Sequence, residues 1–435
     1  MSRKITVGAA LALALLLVAA SIPLTMMFAL RELNKMIPNL QELKGKFDAL
    51  DEVQRSVNDN FYRRPTPDAV NAAMVRGYLE GLGDPESRYL SAEEYQSFNR
   101  RMAGQAPELG IVLKYSPELA GLVIDQVKAG STAAVSGLQP GDHIVKAEKG
   151  GKELSIQAEV EPGKAPQAIE TFYEETAVTA DAASISITIT YERDGKPRPP
   201  VNVMLGSAVS SISYELLDTW PGSKGPLDKS VGYIKIFHFF RNTAGQIETA
   251  IKDLYAKGAM SYIIDVRGCA EGSLEYACEA IDLFAYVDQG TGALATVRDR
   301  AGTVVSKPST SGNNMMAYAT GGHVVVLVNR LTAGVAELFA YDLRAFNRDK
   351  VFLVGEPTRG IQTVQEPFPL ASVGGAALLT VGTVTPYGGD AAWNESGVQP
   401  NEATPEETAS GIVYRISGAE QQLNGALGLL ARLGG

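Results

Sequence analysis

Apolar positions change their spacing three times along the chain, and each change predicts a different architecture. Residues 5–30, "ITVGAALALALLLVAASIPLTMMFAL", carry no charge over 26 positions. That exceeds the roughly 20 residues a helix needs to span a bilayer. With Arg3 and Lys4 ahead of it, the run 1–30 predicts a membrane anchor with a cytoplasmic tip and an extracytoplasmic body; a signal peptide cleaved shortly after Ala20 is the other reading. Steps of three and four then join Leu33, Met36, Leu40, Leu43, Phe47, Leu50, Val53 and Val57, the stripe of an amphipathic helix. Either that helix packs on its own domain, or residues 33–57 pair with a second copy. "TPDAVNAAMVRGYLEGL" predicts another helix, stopped at Gly83-Asp84-Pro85, so residues 31–104 form a helical arm.

Over 105–205 the texture shifts to short strands. "ELGIVLKY" and "GLVIDQVKAG" flank a turn, "APQAIETFYEETAV" has helical spacing, and "ASISITITYERDGK" alternates with period two. Over 206–402 the pattern becomes strand, helix, strand. "VGYIKIFHF", "SYIIDVRG", "HVVVLVN" and "KVFLVGEPT" predict strands, separated by helices in "TAGQIETAIKDLYAKGA", "SLEYACEAIDLFA" and the stretch from Ala336. Near-continuous apolar strands between helices predict a layered α/β domain, whose ligand sites lie at the carboxyl ends of the strands. The loops after Val266, Asn329 and Gly355 are therefore the candidates for chemistry. Residues 403–435 are expected to form a C-terminal helical tail.

Composition narrows the function. The 435 residues are 45% hydrophobic and 20% charged, with a net charge of −10. That balance argues against nucleic acid, whose phosphates need a surplus of Lys and Arg on one face. Cys269 and Cys278 are the only cysteines, enough for one disulfide in an exported chain. His143, His238 and His323 are scattered without ligand spacing, so neither a metal nor another cofactor is expected.

The phrases "GYLEGLGDPESRYLSAEEYQSF", "GSTAAVSGLQPGDHIVKA", "VGYIKI", "YIIDVRG", "VVVLVN", "VFLVGEPTRG", "TVQ" and "GVQPN" stand in one order between about Asp51 and Asn401. In that order and spacing the chain resembles the carboxyl-terminal processing (tail-specific) serine peptidases. The resemblance implies an α/β peptidase-type core with an inserted β-rich PDZ-like domain. It also implies a Ser/Lys dyad: a serine in a turn of the form Thr/Ser-Ala-Ser-Ala-Ser-Glu, and a lysine in Gly-Glu-x-Thr-x-Gly-Lys-Gly-x-Val-Gln. A serine hydroxyl needs such a base to take its proton, and backbone N–H groups in a glycine-rich loop would hold the oxyanion.

Laid on this chain, the first motif reads Thr332-Ala333-Gly334-Val335-Ala336-Glu337, which puts Gly334 at the nucleophile position. The second begins Gly355-Glu356-Pro357-Thr358-Arg359-Gly360-Ile361, which puts Ile361 at the lysine position. Glu337, Arg267 and Gln365 keep the family's residue types. Glu271, in the loop associated with the oxyanion hole, is expected to place a carboxylate where negative charge would develop. The resemblance with both dyad members replaced implies a non-catalytic homologue that binds peptide or protein C-termini. A peptidase using Thr332 or Cys269 instead is the competing expectation. Leu109-Gly110-Ile111 fits the apolar-Gly-apolar loop with which a PDZ domain captures a peptide carboxylate on backbone N–H groups.

Overall fold

The computed structural model describes residues 40–105, 109–116, 121–128, 131–153, 186–205, 210–220, 225–285, 293–306, 315–319, 321–388, 396–404 and 421–434, with a few isolated positions. The chain divides into two compact units, Met1–Asn71 and Ala72–Gly435. In the first, Leu40–Asn60 is a single helix on which Leu50 and Val53 are exposed. The predicted anchor over 5–30 lies outside the described residues, apart from Ser21, Thr25 and Met26. Among the described residues no helix is long and apolar enough to cross a membrane.

The larger unit is organised around a six-stranded sheet: β1 Ile212–Thr219, β2 Pro226–Ile236, β3 Ser261–Asp265, β4 Val324–Val328, β5 Val351–Gly355 and β6 Glu402–Ala403. Their order across the sheet is their order along the chain. β1 runs antiparallel to β2, and every later pairing is parallel. Three helices occupy the crossovers: α1 Thr243–Ala256, α2 Leu274–Asp282 and α3 Val335–Phe346. Right-handed crossovers that always step the same way put their helices on one face. That face carries the main core, where Ile234, Ile264, Val326 and Leu353 pack with Ile247, Ile281 and Phe339. The opposite face, with Val231, Tyr233, Ile263, Val325, Leu327 and Val354, is covered by α4, Gln421–Arg432.

β3 and β4 are buried at every position. Their apolar runs therefore read as strands enclosed on both faces, as the sequence predicts. Thr243–Ala256 ends at Gly258, which takes φ 97°.

Besides a short parallel pairing of His238–Phe239 with Glu271–Gly272, two further sheets complete the unit. One pairs the long strand Ala376–Pro386 with Thr363–Pro369, Arg88–Leu90 and the hairpin Ala295–Arg298/Val304–Ser306. The helix Pro67–Glu80 packs Ala72, Val75 and Leu79 against its Tyr89 and Ala377. The other is antiparallel and spans Ile111–Met204. It has a core of its own, formed by Ile111, Leu122, Ile124, Ile144, Ile187 and Ile189. Ser186–Arg193 there alternates in burial along its length, the half-exposed strand that its period-two sequence predicts. The helical pattern in "APQAIETFYEETAV" lies outside the described residues.

Candidate functional site

Asn329 turns the chain at the carboxyl end of β4. Its side-chain oxygen accepts the N–H of Leu331, two residues on, at 3.1 Å. The same oxygen accepts the N–H of Gly268 at 3.1 Å, tying this turn to the loop after β3. An asparagine bonding its own backbone in this way makes a local turn that ends a strand. Gly334 then caps α3 with φ 60° and ψ −120°. Glycine adopts that conformation freely, and residues with a Cβ only under strain. A side chain there would project into open space, with nothing within 4 Å of its first carbon.

Glu337, at the third position of α3, is fully buried and is the hub of the site. One carboxylate oxygen accepts the N–H of Gly334 and the N–H of Ile361, each at 2.8 Å. Those two nitrogens are thus no further apart than twice that distance. The two sequence motifs meet here: the carboxylate ties Gly334 to Ile361, and the Arg359 N–H donates to the Thr332 carbonyl at 3.0 Å. The other oxygen accepts the N–H of Gly360 at 2.7 Å and the Thr358 hydroxyl. Reaching back to the cap N–H is half of a capping box; bonding a second loop extends it across the site. Burial pushes the Glu337 carboxyl above the usual carboxylate range, against the opposing pull of these donors. Arg330 and Glu356 add an ion pair between the same two loops, 3.1 Å apart.

Neither of the alternative nucleophiles is presented to solvent. Thr332 is fully buried; its hydroxyl donates to the Val266 carbonyl at 3.0 Å and accepts the N–H of Asn329 at 3.1 Å. Cys269 is also fully buried. Burial pushes its thiol up to about 12, despite the lowering effect of Lys235. Its carbonyl accepts the N–H of Ala333 at 3.0 Å, so the residue joins the two loops through its backbone. Cys269 and Cys278 are both free thiols in the structure.

The loop after β3 departs from expectation at Glu271. Its carboxylate is not left facing the site alone: Arg101, from the helix Ala92–Met102, meets it at 2.9 Å. The partner lies 170 positions away in sequence, too far for local pattern to reveal. Arg267 does not point into the site either. It is buried with Asp265, which accepts its backbone N–H and Nε at 2.9 and 3.0 Å, the Tyr233 hydroxyl at 2.6 Å and Lys235 Nζ at 3.1 Å. Burial opposes the charge on Asp265, yet Arg267 and Lys235 beside it hold the carboxyl well below the usual range. Arg267 reaches on to Gln422 of α4 at 3.1 Å. Gln365 lies on the strand Thr363–Pro369, where its amide donates to the Thr363 hydroxyl at 2.9 Å.

In the antiparallel sheet spanning Ile111–Met204, Ile111–Ser116 is an edge strand preceded by Leu109 and Gly110. Leu109 and Ile111 are buried in the core of that sheet. Gly110 takes φ 77°, and a Cβ there would fall 2.1 Å from the Ser131 Cβ. Only glycine fits.

With this geometry in place, the kinship is direct. Residues 230–404 match the model of peptidase family S41. They are an S41 peptidase domain. The chain is a homologue of the carboxyl-terminal processing proteases. It is 26% identical over 323 residues to the "Carboxy-terminal processing protease CtpA" of Bacillus subtilis, covering 74% of this chain and 61% of that one. It is also 26% identical over 385 residues to a "Carboxyl-terminal-processing protease" of a Picosynechococcus strain, covering 86% and 83%. The chain thus spans 61% of the length of the Bacillus relative, less than two thirds. The crystal structure of a putative S41 protease from Bacteroides fragilis shares the fold, with a TM-score of 0.52, 18% identity, and coverage of 86% and 92% of the two chains. Glu337 and its four donors lie within the matched residues, whereas Arg101, which pairs with Glu271, and Gln422, which Arg267 reaches, lie outside them.

Proposed function

We propose that this protein is a non-catalytic homologue of the carboxyl-terminal processing proteases that binds the C-terminal tails of peptides or proteins. One observation carries the reading: at the two positions where the family resemblance implies a nucleophile and a base, Gly334 has no side chain and Ile361 no titratable group. The buried hydroxyl of Thr332 and the buried thiol of Cys269 favour neither as a substitute.

Binding is assigned to the PDZ-like domain of residues 105–205. Its Leu109-Gly110-Ile111 loop would offer backbone donors to a terminal carboxylate, while the edge of Ile111–Ser116 takes the peptide as an added strand. The uncharged run 5–30 anchors the protein, with the bulk extracytoplasmic, and the helical stripe of residues 33–57 pairs with a second copy. These parts rest on the sequence pattern.

The test is incubation of the soluble part with a fluorophosphonate probe and, separately, with an unfolded protein. Neither labelling nor cleavage is expected. Metal-independent cleavage lost on Thr332→Ala or Cys269→Ala would replace this reading with a peptidase using that residue. Peptides with apolar free C-termini should bind more tightly than amidated copies, which lack the charge those donors meet. Equal affinity would refute carboxylate capture.

A further inference from the structure

Asp342 lies in the middle of α3, fully buried. One of its oxygens accepts the N–H of Tyr387 at 3.0 Å, just past the strand Ala376–Pro386. The other, also buried, has no hydrogen-bond partner among the described residues. A buried carboxylate with an orphaned oxygen is costly, and the group relieves the cost by keeping its proton. Among the described residues only the Tyr387 N–H favours a charge there. From α2 the Cys278 thiol lies within the field of Asp342, together with the carboxylates of Asp282 and Glu279. From the strand side the neighbour is Tyr387, whose ring stacks on Phe346 with centroids 3.9 Å apart. On α3 itself, Arg344 turns away to the Gln399 carbonyl at 2.7 Å and lies over the Tyr341 ring. Burial pushes the Asp342 carboxyl well above the usual range, opposed only by the Tyr387 N–H.

The seam that Asp342 anchors leads to the candidate site. Val384, near the end of the same strand, donates its N–H to the Gln362 carbonyl at 2.7 Å. Trp393, almost fully buried, packs by Tyr341 and donates its indole N–H to the Ile361 carbonyl at 3.3 Å. Strand end, Trp393 and the loop bearing Ile361 are therefore connected through one cluster that includes Cys278, Phe339 and Val384.

We propose that Asp342 is a proton-operated latch: as the neutral acid it seats the end of strand Ala376–Pro386 on α3, and as the carboxylate it loosens that seam and the adjoining Ile361 loop. The step is a simple loss of one proton to water. It holds whether or not the site reacts, so its fate is separate from the functional reading above.

Two measurements test it. In the first, unfolding equilibria in urea are measured for the whole chain and for Asp342→Asn between pH 5 and 9. A group whose folded pKa lies above its unfolded one contributes stability at low pH that is lost as pH rises towards the folded value. The ratio of the variant's folding constant to the wild type's should climb with pH, by up to about tenfold per pH unit while Asp342 stays protonated in the folded protein alone, and level off once it ionises there too. A ratio independent of pH overturns the proposal. In the second, Trp220→Phe leaves Trp393 as the only indole. Its emission should shift with pH in the wild-type background and not when Asp342→Asn is added. Asp342→Ser serves the same purpose if the asparagine variant does not fold. The same shift in both proteins, or no shift in either, overturns the coupling to the site.

Discussion

Replacing Glu337 with glutamine probes what holds the two loops of the site together. Each carboxylate oxygen takes two donors: Gly334 and Ile361 N–H on one, Gly360 N–H and Thr358 hydroxyl on the other. Glutamine keeps one acceptor oxygen and turns the other into a donor. The amide will rotate its NH2 towards Thr358, because that hydroxyl can turn and accept, whereas a backbone N–H cannot. Gly360 N–H is then left facing a donor. One buried donor without an acceptor costs about 1–3 kcal/mol, and the loss of charge-assisted bonds to Gly334 and Ile361 adds to it. Relief of the desolvation that burial imposes on Glu337 works the other way, so about 2–4 kcal/mol is expected overall. Glu337→Ala, which strips the acceptor from all four donors, should cost more. Urea titration gives the energy, and amide hydrogen exchange at Gly334, Gly360 and Ile361 gives the location; all three amides should lose protection. A glutamine variant within about 0.5 kcal/mol of wild type, with unchanged exchange at those amides, would refute the hub.

Thr332→Ala removes a buried hydroxyl that bonds two backbone groups and should destabilise by about 1–3 kcal/mol, while Thr332→Ser should recover most of that in the same urea titration. Neither thiol should react with a disulfide reagent until the protein unfolds, when both Cys269 and Cys278 react; prompt native-state labelling would contradict their burial. Asp265→Ala leaves Lys235 and Arg267 buried without their carboxylate and should cost about 3–5 kcal/mol. Because the folded Asp265 carboxyl is held below its unfolded value, its contribution is complete above the ordinary carboxylate range and disappears as pH falls towards the folded value. The penalty of Asp265→Ala should accordingly be constant from about pH 5 to 7 and shrink in acid, as acid titration of both proteins would show.

The parts of the fold that the sequence discloses are those whose environment is uniform along an element. β3 and β4 are buried at every residue, so their apolar runs announce them. The helix α1 repeats its buried positions, Thr243, Ile247, Ala250, Ile251 and Leu254, at helical spacing. Thr363–Pro369 is different: its residues alternate between half-buried and exposed without a clean period, and it contains two prolines. Ile212–Thr219 hides for another reason, since its Glu-Leu-Leu centre favours a helix and only pairing with β2 makes it a strand.

At the site, the strand–turn–helix that carries Gly334 is readable from motif order. What Glu337 holds is not, because three of its four donors lie in the stretch 358–361, which meets α3 only after folding. The Arg101–Glu271 pair and the direction of the Thr332 hydroxyl towards the Val266 carbonyl are likewise products of tertiary contact.

The order of strands across the main sheet also bears on how the protein must be made. As the chain leaves the ribosome, α1, α2 and α3 each emerge beside the strand they follow, so the face they cover is protected as it forms. The opposite face, with Tyr233, Ile263, Val325 and Leu327, waits for α4, which is synthesised only after all six strands. During that interval the nascent protein carries an apolar surface with nothing of its own to lay over it, the condition under which intermediates of large domains aggregate. Assembly therefore hinges on the last helix of the chain described, and a nascent chain stalled before Gln421 should need a chaperone where the finished one does not.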